Sequence, residues 1–118
     1  MGGRSVAKQP RRRKPDMQGG AKFDQGKVRP SLILHGFPRA IQAVAEVGMY
    51  GLTLHEEGSW KDVPNGLQRY RDALQRHLLK HAVEDKDKDS SLWHEAHMAW
   101  NCLAVLELRL LELEKNVP

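Results

Sequence analysis

Histidines and carboxylates crowd into one stretch of this chain, residues 72–101. A helix turns about 100° per residue, so His77 and Glu84 fall two turns apart on nearly one face, with His81 beside them. Further on, His94, His97 and Asn101 are spaced i, i+3 and i+7 and again share a face. Between the groups runs Glu84-Asp85-Lys86-Asp87-Lys88-Asp89. An antiparallel helix pair joined by this segment brings imidazoles and carboxylates together. That combination suits a divalent cation. Mg2+ takes oxygen ligands and leaves positions for phosphate oxygens, and Mn2+ accepts imidazole as well. Each residue also has a plainer role. His81 reads as a helix-surface residue, and Asp72 with Arg76 as a surface ion pair. The alternating charges of residues 86–89 suit a solvated loop. Glu46 is the sole acidic residue of an otherwise apolar stretch. A carboxylate facing a core is costly, so Glu46 either points to water or serves a site.

These residues need helices to hold them. Pro38 suits a first helical turn, and residues 38–51 run to a glycine stop with Ile41, Val44, Ala45 and Met49 as the apolar stripe. Asn65 is a candidate N-cap for a second helix over 66–83, with Leu67, Tyr70, Leu74 and Leu78 inward. Ser90 or Ser91 can cap a third helix over 91–115. Residues 22–37 read as an ordered but mostly irregular lead-in, and no alternating β pattern of useful length occurs. The expected fold class is all-α.

The last helix is apolar on more than one side. Leu103, Leu106, Leu110 and Leu113 form a stripe that Val105, Leu108 and Leu111 widen. A helix apolar on most sides is buried in something, and three helices have little room for it. Homo-oligomerisation, as a dimer or tetramer, is the expected answer. Cys102 lies in this apolar company and reads as a small core residue.

Composition narrows the function classes. The chain has 118 residues, enough for one domain. Residues 1–30 hold nine Lys/Arg and two Asp, a net of +7, while residues 31–118 hold ten Lys/Arg against thirteen Asp/Glu, a net of −3. A basic arm thus precedes a mildly acidic body. Residues 1–21 are rich in Gly, Pro and Arg/Lys and read as a disordered, solvated tail, with residues 22–118 as the all-α domain. Nucleic-acid contact through Arg11, Arg12, Arg13 and Lys14 is the competing role, but no aromatic is interleaved to stack on bases. One cysteine excludes an intramolecular disulfide framework. No apolar run has the length of a membrane span or a secretory h-region. A soluble, reduced, cytoplasmic protein is expected. No Walker loop, Rossmann glycine pattern or CxxC pair is present.

The motifs also occur in a familiar order. Lys22-Phe23-Asp24-Gln25-Gly26-Lys27-x-Arg29 is followed by Tyr50-Gly51, Trp60 and Ala73-Leu74-x-Arg76-His77. Glu84-Asp85-x-Asp87 and Ser90-x-x-x-His94-x-x-His97 complete the set. This resembles the small phage-encoded dATP/dGTP diphosphohydrolases of the MazZ type, relatives of the all-α MazG-like nucleoside triphosphate pyrophosphohydrolases. The resemblance covers about residues 22–108. It implies a MazG-like helical bundle in the host cytoplasm that cleaves a purine deoxynucleoside triphosphate between the α- and β-phosphates. The products would be the monophosphate and pyrophosphate, and Mg2+ or Mn2+ would be required. In phages that replace adenine with 2-aminoadenine, such enzymes supply dGMP from dGTP. Carried onto this chain, Glu46, Glu84 and Asp87 are carboxylate ligands. His77, His94 and His97 are ligands or phosphate contacts, with Glu84, Asp87 and His77 closest to the chemistry. Lys27, Arg29 and Arg76 would neutralise the triphosphate. Trp60 and Asn101 would contact substrate, with Phe23 and Trp93 as further candidate walls. The chain departs from the MazG signature Glu-Glu-x-x-Glu on the first helix, where only Glu46 is available. Two alternatives stay open. One is an HD-like phosphohydrolase, and the other is a non-enzymatic, nucleic-acid-binding helical oligomer.

Overall fold

The computed structural model describes residues 23–116, so the expectations for the basic arm lie outside the described residues. Four α-helices follow in order: α1 (Ser31–Leu34), α2 (Pro38–Leu52), α3 (Gly66–His81) and α4 (His94–Lys115). A 3-10 turn, Ser59–Asp62, lies between α2 and α3. Among the described residues there is no strand, only an isolated antiparallel bridge between Lys86 and Trp93. The all-α expectation holds. The lead-in is less irregular than its sequence implies, because α1 and its turn close on Arg29, Pro30 and Ser31 carbonyls. No helix among the described residues is long and apolar enough to cross a membrane.

The ends of the helices show where local rules won. Pro38 occupies the first turn of α2 as its fixed φ requires. Gly51 does not stop α2. The helix runs to Leu52, and the Thr53 hydroxyl donates to the Tyr50 carbonyl at 2.6 Å. Asn65 does precede α3, but in the left-handed region (φ 55°) and without a side-chain cap. That kink lets Gly66 in against α4, where a Cβ would stand 3.3 Å from Leu108 Cδ1 and 3.4 Å from Tyr70 Cε2. α3 ends at His81, two residues short of expectation, and the Glu84 amide folds back onto the Lys80 carbonyl at 2.9 Å. Ser90 and Ser91 do not cap α4, which starts at His94 after Trp93. Their chemistry is taken by the α3–α4 connection instead.

α3 runs antiparallel along α4. His77 meets His94 and His97 at one end, Tyr70 meets Trp100 further along, and Gly66 meets Leu108 beyond that. α2 packs on another side of α4, with Gly48 facing the Trp100 indole. Among the described residues the buried apolar side chains are few and small: Val47, Ala96 and Ala104. On α2 the inward residue is Val47, whereas Ala45 and Met49 of the expected stripe are exposed. On α3 the inward row ends in His77, and Leu78 is exposed.

The buried polar set is Asp87, His94, His97 and Asn101. Burying four polar side chains beside three small apolar ones carries a desolvation cost that packing alone would not select. α4 turns the face with His94, His97, Asn101 and Ala104 inward, and Leu108 and Leu111 continue that row. At about 100° per residue, Leu103, Leu106, Leu110 and Leu113 then fall on the opposite side. They are 48–60% exposed. Cys102 is exposed as well, contrary to the core role read from its neighbours. Polar residues and not leucines decide which way α4 faces.

Candidate active site

The connection between α3 and α4 is a tight hairpin that holds one carboxylate. The Asp87 amide donates to the Leu92 carbonyl (2.8 Å), the Ser91 amide to the Asp87 carbonyl (2.8 Å), and the His94 amide to the Asp85 carbonyl (3.1 Å). Ser91 adopts φ 64° to make the turn. Inside it, Asp87 Oδ2 accepts the amides of Asp89 (3.0 Å) and Ser90 (2.9 Å). Burial pushes the Asp87 carboxyl up, but the Ser90 amide and the nearby His97 and His77 outweigh it and hold it below its usual range. Asp87 therefore keeps its charge, and one of its oxygens lies close to ring nitrogens of His77 and His94.

Those histidines form an ordered stack. His77 and His97 lie ring on ring at 4.4 Å and 7°. His77 Nδ1 and His94 Nδ1 approach to 2.9 Å. His94, fully buried, turns Nε2 to Glu84 Oε2 at 2.8 Å. A carboxylate accepts, so His94 carries its proton on Nε2 and presents a lone pair at Nδ1. His97 Nε2 bonds Ser90 Oγ at 2.7 Å. Burial, with His97 and His94 close by, pushes His77 down to about 4 against the opposing pull of Asp87, and burial lowers His97 too.

At neutral pH the His77 and His97 rings are uncharged. One ligand atom from each of His77, Asp87 and His94 lies within 4.8 Å of the others. An octahedral cation with bonds of about 2.1 Å sets adjacent ligands about 3 Å apart, which the His77–His94 separation matches. The Glu84–His94 bond is the support that a metal-ligating imidazole normally has on its far nitrogen. The donor set thus fits a divalent cation, and Glu84 acts on it through His94.

The depressed His77 has a consequence for stability. The unfolded chain takes up this proton near pH 6.5, whereas the folded chain resists it until about pH 4. Each step down in that window favours the unfolded state. In chelator, the thermal midpoint is expected to fall between pH 6.5 and 4 and to lose part of that slope in His77→Gln, with the depressed His97 keeping the rest. A wild-type midpoint flat across the window would mean that His77 protonates freely in the folded chain.

The cluster opens onto a cleft of about 570 Å³ between α2, the 3-10 turn, α3 and α4. That volume lies in the range of small-molecule pockets. Asp87, Asp89, His77, His97, Arg76 and Lys80 line its polar end. Arg76 and Lys80 are one turn apart on α3, and neither forms an ion pair among the described residues. Asp72, the expected partner of Arg76, accepts from Gln68 Nε2 instead (3.1 Å). Trp60, Tyr70 and Trp100 line the other end, meeting edge to face with centroids 5.6–6.2 Å apart. The Tyr70 hydroxyl donates to the Trp60 carbonyl at 2.8 Å, which ties the 3-10 turn to α3. Buried Asn101, next to Trp100 on α4 and one turn past His97, also lines the cleft.

The sequence of the cleft has known relatives. The dATP/dGTP diphosphohydrolase N-terminal family matches residues 17–116. The chain belongs to this family. A dATP/dGTP diphosphohydrolase of Salmonella phage PMBT28 is 37% identical over 81 residues, which are 68% of this chain. The chain spans about a quarter (26%) of the length of that relative. No solved structure matches.

In this family member, His77, Arg76, Asp87, His97, Asn101 and Trp60 come together at the cleft, with His94 and Glu84 directly behind. Five residues singled out from the sequence stand apart. Glu46 is exposed on α2, solvated beside the inward Val47 and not in the cleft. Lys27 and Arg29 are exposed in the lead-in and do not line it. Phe23 is exposed, and Trp93 lies under the Lys86 ammonium, 4.7 Å from ring to nitrogen. His81 stays on the surface, as expected, paired with Glu95 at 3.0 Å. Sequence reasoning missed Lys80, Asp89, Tyr70 and Trp100. Lys80 had a signal, being i+4 from Arg76. Trp100 had none, since an aromatic beside an apolar stripe reads as core.

Proposed function

We propose that this chain carries out metal-dependent hydrolysis of purine deoxynucleoside triphosphates, dGTP first and dATP or GTP second, to the monophosphate and pyrophosphate. One observation carries the reading. A single cleft has a His/Asp donor set with two cations at one end and an aromatic trio at the other, in a chain of the dATP/dGTP diphosphohydrolase family. Phosphates and a flat base need those two environments, in that order. The relative's name gives dATP and dGTP for that phage protein. In a phage with 2-aminoadenine DNA, the product dGMP would feed the modified-base pathway.

His77, Asp87 and His94 would hold Mn2+ or Mg2+, and two imidazoles favour Mn2+. When bound, the ion lowers the pKa of water and offsets charge on phosphate oxygens. The remaining work belongs to the chain. Arg76 and Lys80 reach over the polar end and neutralise the leaving pyrophosphate. Glu84 keeps the His94 proton on Nε2. The Ser90 hydroxyl sets the tilt of His97, whose ring braces His77. Trp60, Tyr70 and Trp100 exclude water from the base.

The test is a product assay with Mn2+ or Mg2+ and each of dGTP, dATP, dCTP, dTTP, GTP and ATP. Purine monophosphate plus pyrophosphate is the expected result. Nucleoside plus triphosphate would move the chain to the HD-like class, and no turnover would leave a binding role in front.

The same reading includes assembly. Four leucines along the outer side of α4 are about half exposed, a large apolar strip for a monomer in water. A second copy covering α4 would bury it. Light scattering is expected to give a mass of at least two chains, and a strict monomer at micromolar concentration would refute this.

A further inference from the structure

Asn101 is 6% exposed and lies on the cleft wall, yet half of its amide is unused. Its Nδ2 donates to the His97 carbonyl one turn back, at 2.8 Å. That bond fixes the orientation of the amide. Oδ1 meets no donor among the described residues. A buried acceptor left without a partner is costly, so it is a position waiting for an N–H or O–H.

The position along α4 says which part of a nucleotide supplies it. With a rise of about 1.5 Å per residue, Asn101 lies about 6 Å beyond His97, towards the aromatic end. On antiparallel α3, Tyr70 lies about 10 Å from His77 by the same measure. Asn101 is therefore level with its neighbour Trp100 but on the face that carries His97, so it stands where the polar row of α4 meets the aromatic wall. A nucleotide seated with its phosphates at His77 and Asp87 and its base on Trp60 places its sugar there. The 3′-hydroxyl hangs a few bonds from the α-phosphorus. The hydrogen-bonding edge of a purine lies a whole sugar and most of a ring system further.

We infer that Asn101 Oδ1 accepts the 3′-hydroxyl of the deoxyribose, so that this cleft reads the sugar as well as the phosphates and base. The inference rests on the nucleotide reading above and deepens it. A neutral hydrogen bond of this kind is expected to be worth roughly 5- to 10-fold in discrimination.

The experiment compares dGTP with 2′,3′-dideoxyGTP on the full chain with Mn2+. It adds equilibrium dialysis of dGMP and 2′,3′-dideoxyGMP as a readout independent of turnover. Wild type is expected to favour the 3′-hydroxyl form roughly 5- to 10-fold in both. Asn101→Ala is expected to bring dGTP down to the dideoxy level and leave the dideoxy value nearly unchanged. Equal handling of the two sugars by wild type overturns the inference without any variant. Equal loss on both sugars in Asn101→Ala also overturns it, and a changed dGTP/dITP ratio in that variant would assign the carbonyl to the base edge instead. A chain that neither turns over nor binds purine nucleotides overturns the parent reading and takes this one with it.

Discussion

Asp87→Asn is expected to lower kcat on dGTP by at least about 100-fold while the helical circular dichroism survives. The two halves of this carboxylate do different jobs. Oδ2 accepts the Asp89 and Ser90 amides and so shapes the α3–α4 hairpin. An asparagine carbonyl can accept the same two amides, so the hairpin closes as before. The other oxygen is replaced by an NH2 group, which cannot ligate a cation and carries no charge. Removing an acidic donor from a set of three should therefore act on turnover and not on folding. Glu84→Gln makes the contrast. It keeps a side-chain oxygen for the His94 Nε2–H but loses the charge that polarises the ring. An effect of about 10- to 100-fold is expected, of the size seen for groups one bond removed from a metal. Full activity in Asp87→Asn would remove it from the site. A Glu84→Gln effect equal to that of Asp87→Asn would mean that Glu84 touches the ion or substrate itself.

Chelation is the second large effect. EDTA is expected to silence hydrolysis, with excess Mn2+ restoring it and Mg2+ restoring it less well. The reason lies in the donors. His97 is buried, His77 is half-buried, and both are held unprotonated, so they bring no positive charge to the phosphates. Asp87 brings a negative charge to the same end. Without a cation, the polar end has only Arg76 and Lys80 to oppose a triphosphate, and Asp87 and Asp89 repel it. Binding should also raise the thermal midpoint, because a ligand that binds only the folded form stabilises it by mass action. The shift should be absent in His94→Ala. Unchanged turnover in EDTA would refute a metal-assisted reaction and leave Arg76 and Lys80 to explain the chemistry.

Much of this was legible in the residues themselves. The helices at 38–52, 66–81 and 94–115 follow from apolar periodicity, Pro38 and the charged run at 84–89, all of which act within a few residues. So does the convergence of His77 with His94 and His97, because a short connection forces α3 and α4 to pack antiparallel. The order of the motifs identified the family, which residues 17–116 match.

Tertiary structure decided which residues share a space. Periodicity locates an apolar stripe on α4 but cannot say which stripe faces inward, and the polar row of His94, His97 and Asn101 took that place. That choice turned Leu103, Leu106, Leu110 and Leu113 outward and exposed Cys102. Sequence spacing likewise could not tell which carboxylate joins the histidine cluster directly. Glu84 and Asp87 look equivalent in Glu84-x-x-Asp87, and only the hairpin hydrogen bonds aim one at the histidines and set the other behind His94. Trp60 and Trp100 are 40 residues apart in the chain, so only packing could make them one wall of the cleft. Local preferences are written residue by residue, whereas a site is built from contacts between distant segments, and those depend on which faces the helices bury.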